Sequence, residues 1–345
     1  MNAFAKLNRM FVWSALFGLT AMFASCDNNI IFEEQGDCEA NYRISFKYDM
    51  NMKFADAFPH ETTDVRVFAF DESGVLVAEQ AASATELKAT ACTMPLDLNA
   101  GKYKLLCWAG TAEGGSFEVP TATVGQTRIE DLTCALKYDT DNNGNAISSK
   151  HLPGLFHGIQ EVTLTEEPGT YDYVMPLTKN TNTVRVVLQQ LSGEPVNQDL
   201  FSFEITDENG LMAYDNSLLT NKVIHYTPWR QVQGSASAGT PDPNGGYTEV
   251  SVAMAEMTVA RLVEGKRPML TVRRKDDGNT VLSIPLIDYA LLVKGYYNRD
   301  MSNQEYLDRQ DEYNLTFFLD SNQRWINSSI IVNSWKVVLS QENLK

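Results

Sequence analysis

Tyr42-Arg43-Ile44-Ser45-Phe46-Lys47-Tyr48 decides how this chain is read. Large apolar or aromatic side chains alternate with polar ones, the two-residue period of a strand with one face buried and one in water. The same period recurs outward from it. Asp64 to Phe70 (DVRVFAF) is a second β run, and Asp71-Glu72-Ser73-Gly74 turns it into Val75-Leu76-Val77. Gly101 to Trp108 (GKYKLLCW) is another strand, closing at Ala109-Gly110. Thr111 to Gly125 is small and polar, hence loop or edge, and Asp139 to Asn145 (DTDNNGN) is a turn cluster.

A second set of strands begins near Met175. Val184, Val186 and Leu188 alternate with Arg185 and Gln189, and Phe201 to Thr206 ends at the turn Asp207-Glu208-Asn209-Gly210. Ala236 to Gly246 reads as a surface loop. Tyr247 to Val263, Pro268 to Arg274 and Val281 to Ile287 are strand candidates, Leu315 to Leu319 resumes the pattern, and Ile326 to Ser340 closes it as one run. Ser302-Asn303-Gln304-Glu305 is a capping box, which predicts a short helix over Asn303 to Asp311. Many short strands with so little helix predict an all-β chain of two tandem β-sandwich domains, with one short helix in the C-terminal one. The expected domains are 39–167 and 168–345, with Thr165-Glu166-Glu167-Pro168-Gly169 at the boundary.

The N-terminus specifies location. Lys6 and Arg9 precede an uncharged, largely apolar run from Met10 to Phe23, followed by Ala24-Ser25-Cys26. The run is shorter than the ~20 residues of a spanning helix, so it reads as an export signal. Small residues followed at once by cysteine resemble a loose bacterial lipobox, in which Cys26 receives acyl chains. Each buried methylene contributes roughly 0.8 kcal/mol, and several chains are needed for a lasting hold. Residues 1–25 are thus the expected signal peptide and 26–38, with Asp27, Glu33, Glu34 and Asp37, an acidic tether. The chain has net charge −16, which repels phosphate backbones and argues against nucleic acid as a partner.

Cys38, Cys92, Cys107 and Cys134 follow no zinc-site spacing. Cys92 and Cys107 flank the turn Leu98-Asn99-Ala100-Gly101 symmetrically, so a hairpin disulfide competes with buried free thiols. The histidines, His60, His151, His157 and His225, sit in no metalloprotease motif, and neither a nucleophile elbow nor a phosphate-binding glycine loop occurs. No catalysis and no cofactor are expected. Asp139, Asp141, Asn143 and Asn145 mimic half of a calcium loop, but the position of its bidentate glutamate is Lys150, so a solvated turn is the expectation.

The ordered segments carry a resemblance. After the cysteine and acidic leader come FKYDMNMKFADAF (Phe46–Phe58), VRVFAFDESGVLV (Val65–Val77) and GKYKLLCWAG (Gly101–Gly110). FHGIQEVTL (Phe156–Leu164), PLTKNTNTVRVVL (Pro176–Leu188) and EYLDRQDEYNLTFFLD (Glu305–Asp320) follow. This order is similar to the FimB-type fimbrial anchor family of Bacteroidota. The resemblance implies transthyretin-like sandwiches and a lipoprotein at the base of a type V pilus, held in the outer membrane by lipid on Cys26 and exposed at the surface, with the fimbrial shaft subunit as partner. It also implies that shaft subunits lose their N-terminal segment to a basic-specific protease, whereas an anchor keeps its own; Arg43 is the candidate cleavage point, protected if its strand is in place.

Two alternatives stay open: a tip or accessory subunit of the same fimbria, and a glycan-binding surface lipoprotein of a polysaccharide-uptake system. For the latter, Trp229 is the loop-like tryptophan, while Trp108, Trp325 and Trp335 lie in strand regions. At the C-terminus Trp335, Val337 and Leu339 share one face, Ser334, Lys336 and Ser340 the other, and Ile331 extends the apolar face. That alternation suits a strand donated to the shaft subunit and equally a last strand paired in cis.

Overall fold

The computed structural model describes residues 39–190, 195–238, 248–295 and 298–339, apart from the side chains of 235–238, 248–250 and 328. The expected signal and tether, with Cys26 and Cys38, lie outside the described residues. The chain divides into a small unit, Met1–Asn41 with Thr165–Tyr171, and a large one, Tyr42–Leu164 with Asp172–Lys345. In the small unit the Gly169 amide donates to the Glu39 carbonyl at 3.3 Å.

The architecture is all-β and of the sandwich type. In the first half, a three-stranded sheet runs Gly169–Pro176, Ala40–Lys47, Thr93–Pro95, and a five-stranded one runs Thr178–Lys179, Phe156–Leu164, Gly101–Ala109, Asp64–Phe70, Leu76–Ser83. The opening heptapeptide behaves as its period requires, with Tyr42, Ile44, Phe46 and Tyr48 at most 6 % exposed. Phe46 stacks on Phe58 at 5.4 Å, and Tyr48 meets the edge of Phe156 at 5.0 Å.

The centre of the five-stranded sheet is buried on both faces. Val65 and Val67 alternate with Phe68 and Phe70, and Leu105 and Cys107 with Leu106 and Trp108, yet all eight are at most 2 % exposed. Phe68, Phe70, Leu106 and Trp108 join one continuous core that reaches Leu339. Continuous apolar runs such as Leu105-Leu106-Cys107-Trp108 are the signature of two covered faces. The strand ends at Gly110, where φ is +86° and a Cβ would lie 2.1 Å from the Gly154 carbonyl oxygen, so only glycine fits.

Two six-stranded sheets form the second half. One runs Arg230–Ala238, Thr248–Ala260, Thr181–Gln190, Glu312–Leu319, Trp325–Val332, Trp335–Val338. The other runs Thr280–Pro285, Met269–Arg274, Phe201–Asp207, Ile224–Tyr226, Ala146–Ser148, Asp139–Thr140. A small sheet of Leu211–Ala213, Thr133–Leu136 and Phe117–Glu118 completes the set. Thr133–Leu136 and Ala146–Ser148 thus pair with strands lying beyond position 168 in sequence.

Helix is more abundant than the single expected segment. Besides Asn303–Arg309 there are Phe58–Glu61, Ala84–Ala89 and Leu286–Leu291. Ser83-Ala84-Thr85-Glu86 is a full capping box, its Ser83 hydroxyl accepting from the Glu86 amide while the Glu86 carboxylate accepts from the Ser83 amide. That signal was present in the sequence. At the expected box, Ser302 accepts from the Glu305 amide at 3.0 Å, but the Glu305 carboxylate turns to Arg309 instead of reaching back.

Candidate functional site

The C-terminal candidates are placed by a hairpin. Trp325–Val332 pairs antiparallel with Trp335–Val338, Ile330 facing Val337, Ile331 facing Lys336 and Val332 facing Trp335. The connecting residues Asn333 and Ser334 have φ of +46° and +72°, the signs that a two-residue hairpin turn of the favoured twist demands. Asn333 is pinned from below: its amide donates to the Asn314 carbonyl, and its side-chain oxygen accepts from the Asn314 amide, both at 2.8 Å.

This reversal corrects the reading of Ile326 to Ser340 as one run. In a continuous strand Ile331 would share a face with Trp335; in the hairpin Ile330 and Val332 do, and both are fully buried. Val337 packs against the core and Leu339 is buried, whereas Trp335 and Val338 are 64 % and 69 % exposed. Trp335–Val338 is the last strand of its sheet, paired on one side only among the described residues. An edge with large apolar side chains in water is a template for another strand. The missed signal was Asn-Ser between two β-branched runs.

At the other end of the chain, the first strand is seated by its own chain. Arg43, Ile44 and Ser45 pair with Pro95, Met94 and Thr93. On the opposite side Arg43 holds Asp172 through two contacts of 2.7 and 2.8 Å, and the Ser45 hydroxyl donates to the Tyr173 carbonyl. The partnership holds the Asp172 carboxyl below the usual range, chiefly by the Arg43 hydrogen bond. The buried Tyr48 hydroxyl donates to Asp311, 263 residues on, at 2.7 and 2.8 Å. Lys179 bridges the same place, 2.7 Å from Glu61 and 3.7 Å from Asp311. Burial raises the Asp311 carboxyl, while Lys179 and Tyr48 pull it back. No local pattern announces contacts between residues so far apart.

The remaining candidates disperse. His157 pairs in register with Trp108 and rests on its ring at 4.7 Å, its Nε2–H donating to the Tyr214 carbonyl at 2.7 Å. His151 meets Trp229 instead, at 4.9 Å, so each of the two histidines keeps its own aromatic partner. Trp229 is half-buried, and Trp335 is the water-exposed tryptophan among the described residues.

At the acidic turn, Asp141 accepts from the amides of Asn143 and Asn145 and from the Asn145 side chain, while Lys150 lies 3.1 Å from Asp139. Its acidic oxygens serve the turn itself, and the Asn145 bonds hold the Asp141 carboxyl below the usual range. Cys107 lies inside the five-stranded sheet, and Cys92, at φ +60°, precedes a strand of the other sheet. Of the two alternatives, free thiols hold for both, Cys107 buried and Cys92 half-buried, and the hairpin that would pair them does not form because the strands that hold Cys107 and follow Cys92 belong to different sheets. Burial pushes the Cys107 and Cys134 thiols well above their ordinary range.

Against known proteins, residues 34–341 match the family of fimbrillin-A associated anchor proteins Mfa1 and Mfa2. The minor fimbrium anchoring subunit Mfa2 of Porphyromonas gingivalis is 22 % identical over 290 residues, covering 82 % of this chain and 80 % of that protein. A candidate adhesin of Bacteroides thetaiotaomicron superposes with a TM-score of 0.78 at 37 % identity, over 89 % of this chain and 100 % of the other. A protein of the same organism described as a candidate polysaccharide-binding protein gives 0.75 at 29 % identity, over 88 % and 100 %.

Proposed function

This chain belongs to the family of fimbrillin-A associated anchor proteins Mfa1 and Mfa2, and from that premise we propose that it is a non-catalytic outer-membrane lipoprotein holding a fimbria to the cell. Cys26 carries the acyl chains, 26–38 is the tether, and two sandwich domains divide near 167, with the strands Thr133–Leu136 and Ala146–Ser148 joining sheets of the second. The observation that carries the reading is the seating of Tyr42–Tyr48. A subunit fixed to a membrane by its N-terminus must keep its first strand, and here that strand fills its own sandwich, paired on both sides and protected at Arg43.

The shaft joins at the other end. Trp335–Val338 offers a free edge with exposed Trp335 and Val338, flanked by half-buried Ile331, while Val337 and Leu339 hold the hairpin on the core. The first shaft subunit adds a strand there, backbone hydrogen bonds giving affinity and the side chains register.

Two variants separate the two ends. Cys26→Ala leaves a folded protein that no longer sediments with membranes, with fimbriae released into the medium. Trp335→Ala combined with Val338→Lys leaves the protein membrane-bound and folded, with no shaft attached. A Cys26→Ala protein that still pellets with membranes sinks the lipid anchor, and attached shafts on the double variant sink the edge contact.

A further inference from the structure

A cavity of about 820 Å³ opens at the end of the second-half sandwich away from the Asn333–Ser334 turn. It is lined by the turn Arg274–Thr280, which joins two strands of one six-stranded sheet, and by the turn Leu319–Trp325, which joins two strands of the other. Loops gathered at the end of a rigid sandwich are where such folds carry binding sites. Both turns are held before any ligand arrives. Asp320 accepts from the amides of Asn322, Gln323 and Arg324, and Asp277 accepts from the amide and side chain of Asn279.

The side chains around the cavity divide in two. Leu200, Val281 and Trp325 supply an apolar wall, with Trp325 braced edge-on by Phe317 at 5.6 Å. Asn322 and Arg324 are exposed and have no side-chain partner among the described residues. The Gln323 Oε1 and the Trp325 Nε1 are enclosed, without a hydrogen-bond partner among the described residues, and do not face the cleft.

The charge is balanced. Arg274 is bonded to Asp276 and lies 3.8 Å from Asp277, and Arg324 lines the same cleft as the Asp277 carboxylate. A phosphate would meet that carboxylate, and a cation would meet the guanidinium. A pyranose meets neither penalty. Its C–H face packs on an indole and aliphatic wall, and its hydroxyls both donate and accept toward planar amide and guanidinium groups.

We propose that this cleft between the Arg274–Thr280 and Leu319–Trp325 turns is a saccharide-binding site, with Trp325 as the stacking wall and Asn322 and Arg324 as the hydrogen-bonding edge. The inference is independent of fimbrial anchoring. Trp325–Val332 begins at the cleft and ends at the Asn333–Ser334 turn, roughly 25 Å away for eight extended residues, so a shaft bound along the hairpin leaves the cleft open.

The test uses the detergent-solubilised full-length chain on an array of immobilised neutral and acidic oligosaccharides. The best array ligand is then titrated in soluble form by calorimetry. Asn322→Ala and Arg324→Ala, both at exposed positions, are expected to weaken binding about tenfold or more, a change of about 1.4 kcal/mol, with unchanged thermal unfolding. Trp229→Ala is expected to leave binding intact. Trp325→Ala is expected to abolish binding, but Trp325 also packs on the core, so the exposed pair decides. Absence of binding to every oligosaccharide overturns the proposal, as does unchanged affinity in the Asn322→Ala, Arg324→Ala double variant.

Discussion

Acid should loosen this protein through His157, and the amount follows from its surroundings. Burial, assisted by Arg261, holds the imidazole near pKa 4 instead of 6.5, against the opposing pull of the Tyr214 carbonyl. The folded state therefore binds this proton less readily than the unfolded chain. Stability from this group is complete above pH 6.5 and drains away as pH falls toward 4. At 1.36 kcal/mol per pH unit the full effect is about 3.4 kcal/mol, of which about 2.5 kcal/mol is lost between pH 7.5 and pH 4.5. The comparison variant is His157→Gln, which keeps an N–H donor but has no titrating proton. Its loss of ring contact with Trp108 lowers stability at both pH values alike. Urea unfolding at the two pH values then isolates the histidine: the wild type should lose about 2.5 kcal/mol more than the variant. Proton NMR provides a direct check, because the imidazole should remain uncharged down to pH 5. An imidazole titrating between pH 6 and 7, or equal pH dependence in the two proteins, would refute the reasoning.

Asp207 acts with the opposite sign. Burial raises its carboxyl to about 6, against the Glu208 amide and Lys266, and its Oδ2 has no partner. Stability is lost as pH rises from 4 to 6, so Asp207→Asn should be neutral below pH 4 and stabilising above pH 6, by up to about 3 kcal/mol; urea midpoints that coincide at pH 7.5 would count against this. Ile44→Ala or Phe46→Ala should cost on the order of 2–5 kcal/mol, because both side chains are buried in a closely packed core. Unaltered thermal unfolding in either would mean that the first strand is not part of the folded sandwich.

Much of the candidate site was open to sequence reading because its signals are local. The alternation in Tyr42–Tyr48 and in Val184–Leu188 needs only neighbours in the chain, and burial follows it. Asn333-Ser334 was local too; reading through it as strand placed Ile331 on the wrong face, since one reversal changes which residues oppose one another. Trp229 lies in a loop between two strands, as its sequence reads. That its half-buried ring meets His151, 78 residues earlier in sequence, no local pattern announces.

The sequence by itself determined the β period, the cysteine that follows an apolar run near the N-terminus, and the ordered segments that resemble the anchor family. Each is a property of residues adjacent in the chain. Only the tertiary structure decided that the centre of one sheet is buried on both faces, that Tyr48 meets Asp311, that Trp335 faces water while Leu339 does not, and that two distant turns enclose one cleft. Period states which side chains share a face; whether that face is covered depends on segments hundreds of residues away that pack on it, and packing is a property of the assembled core.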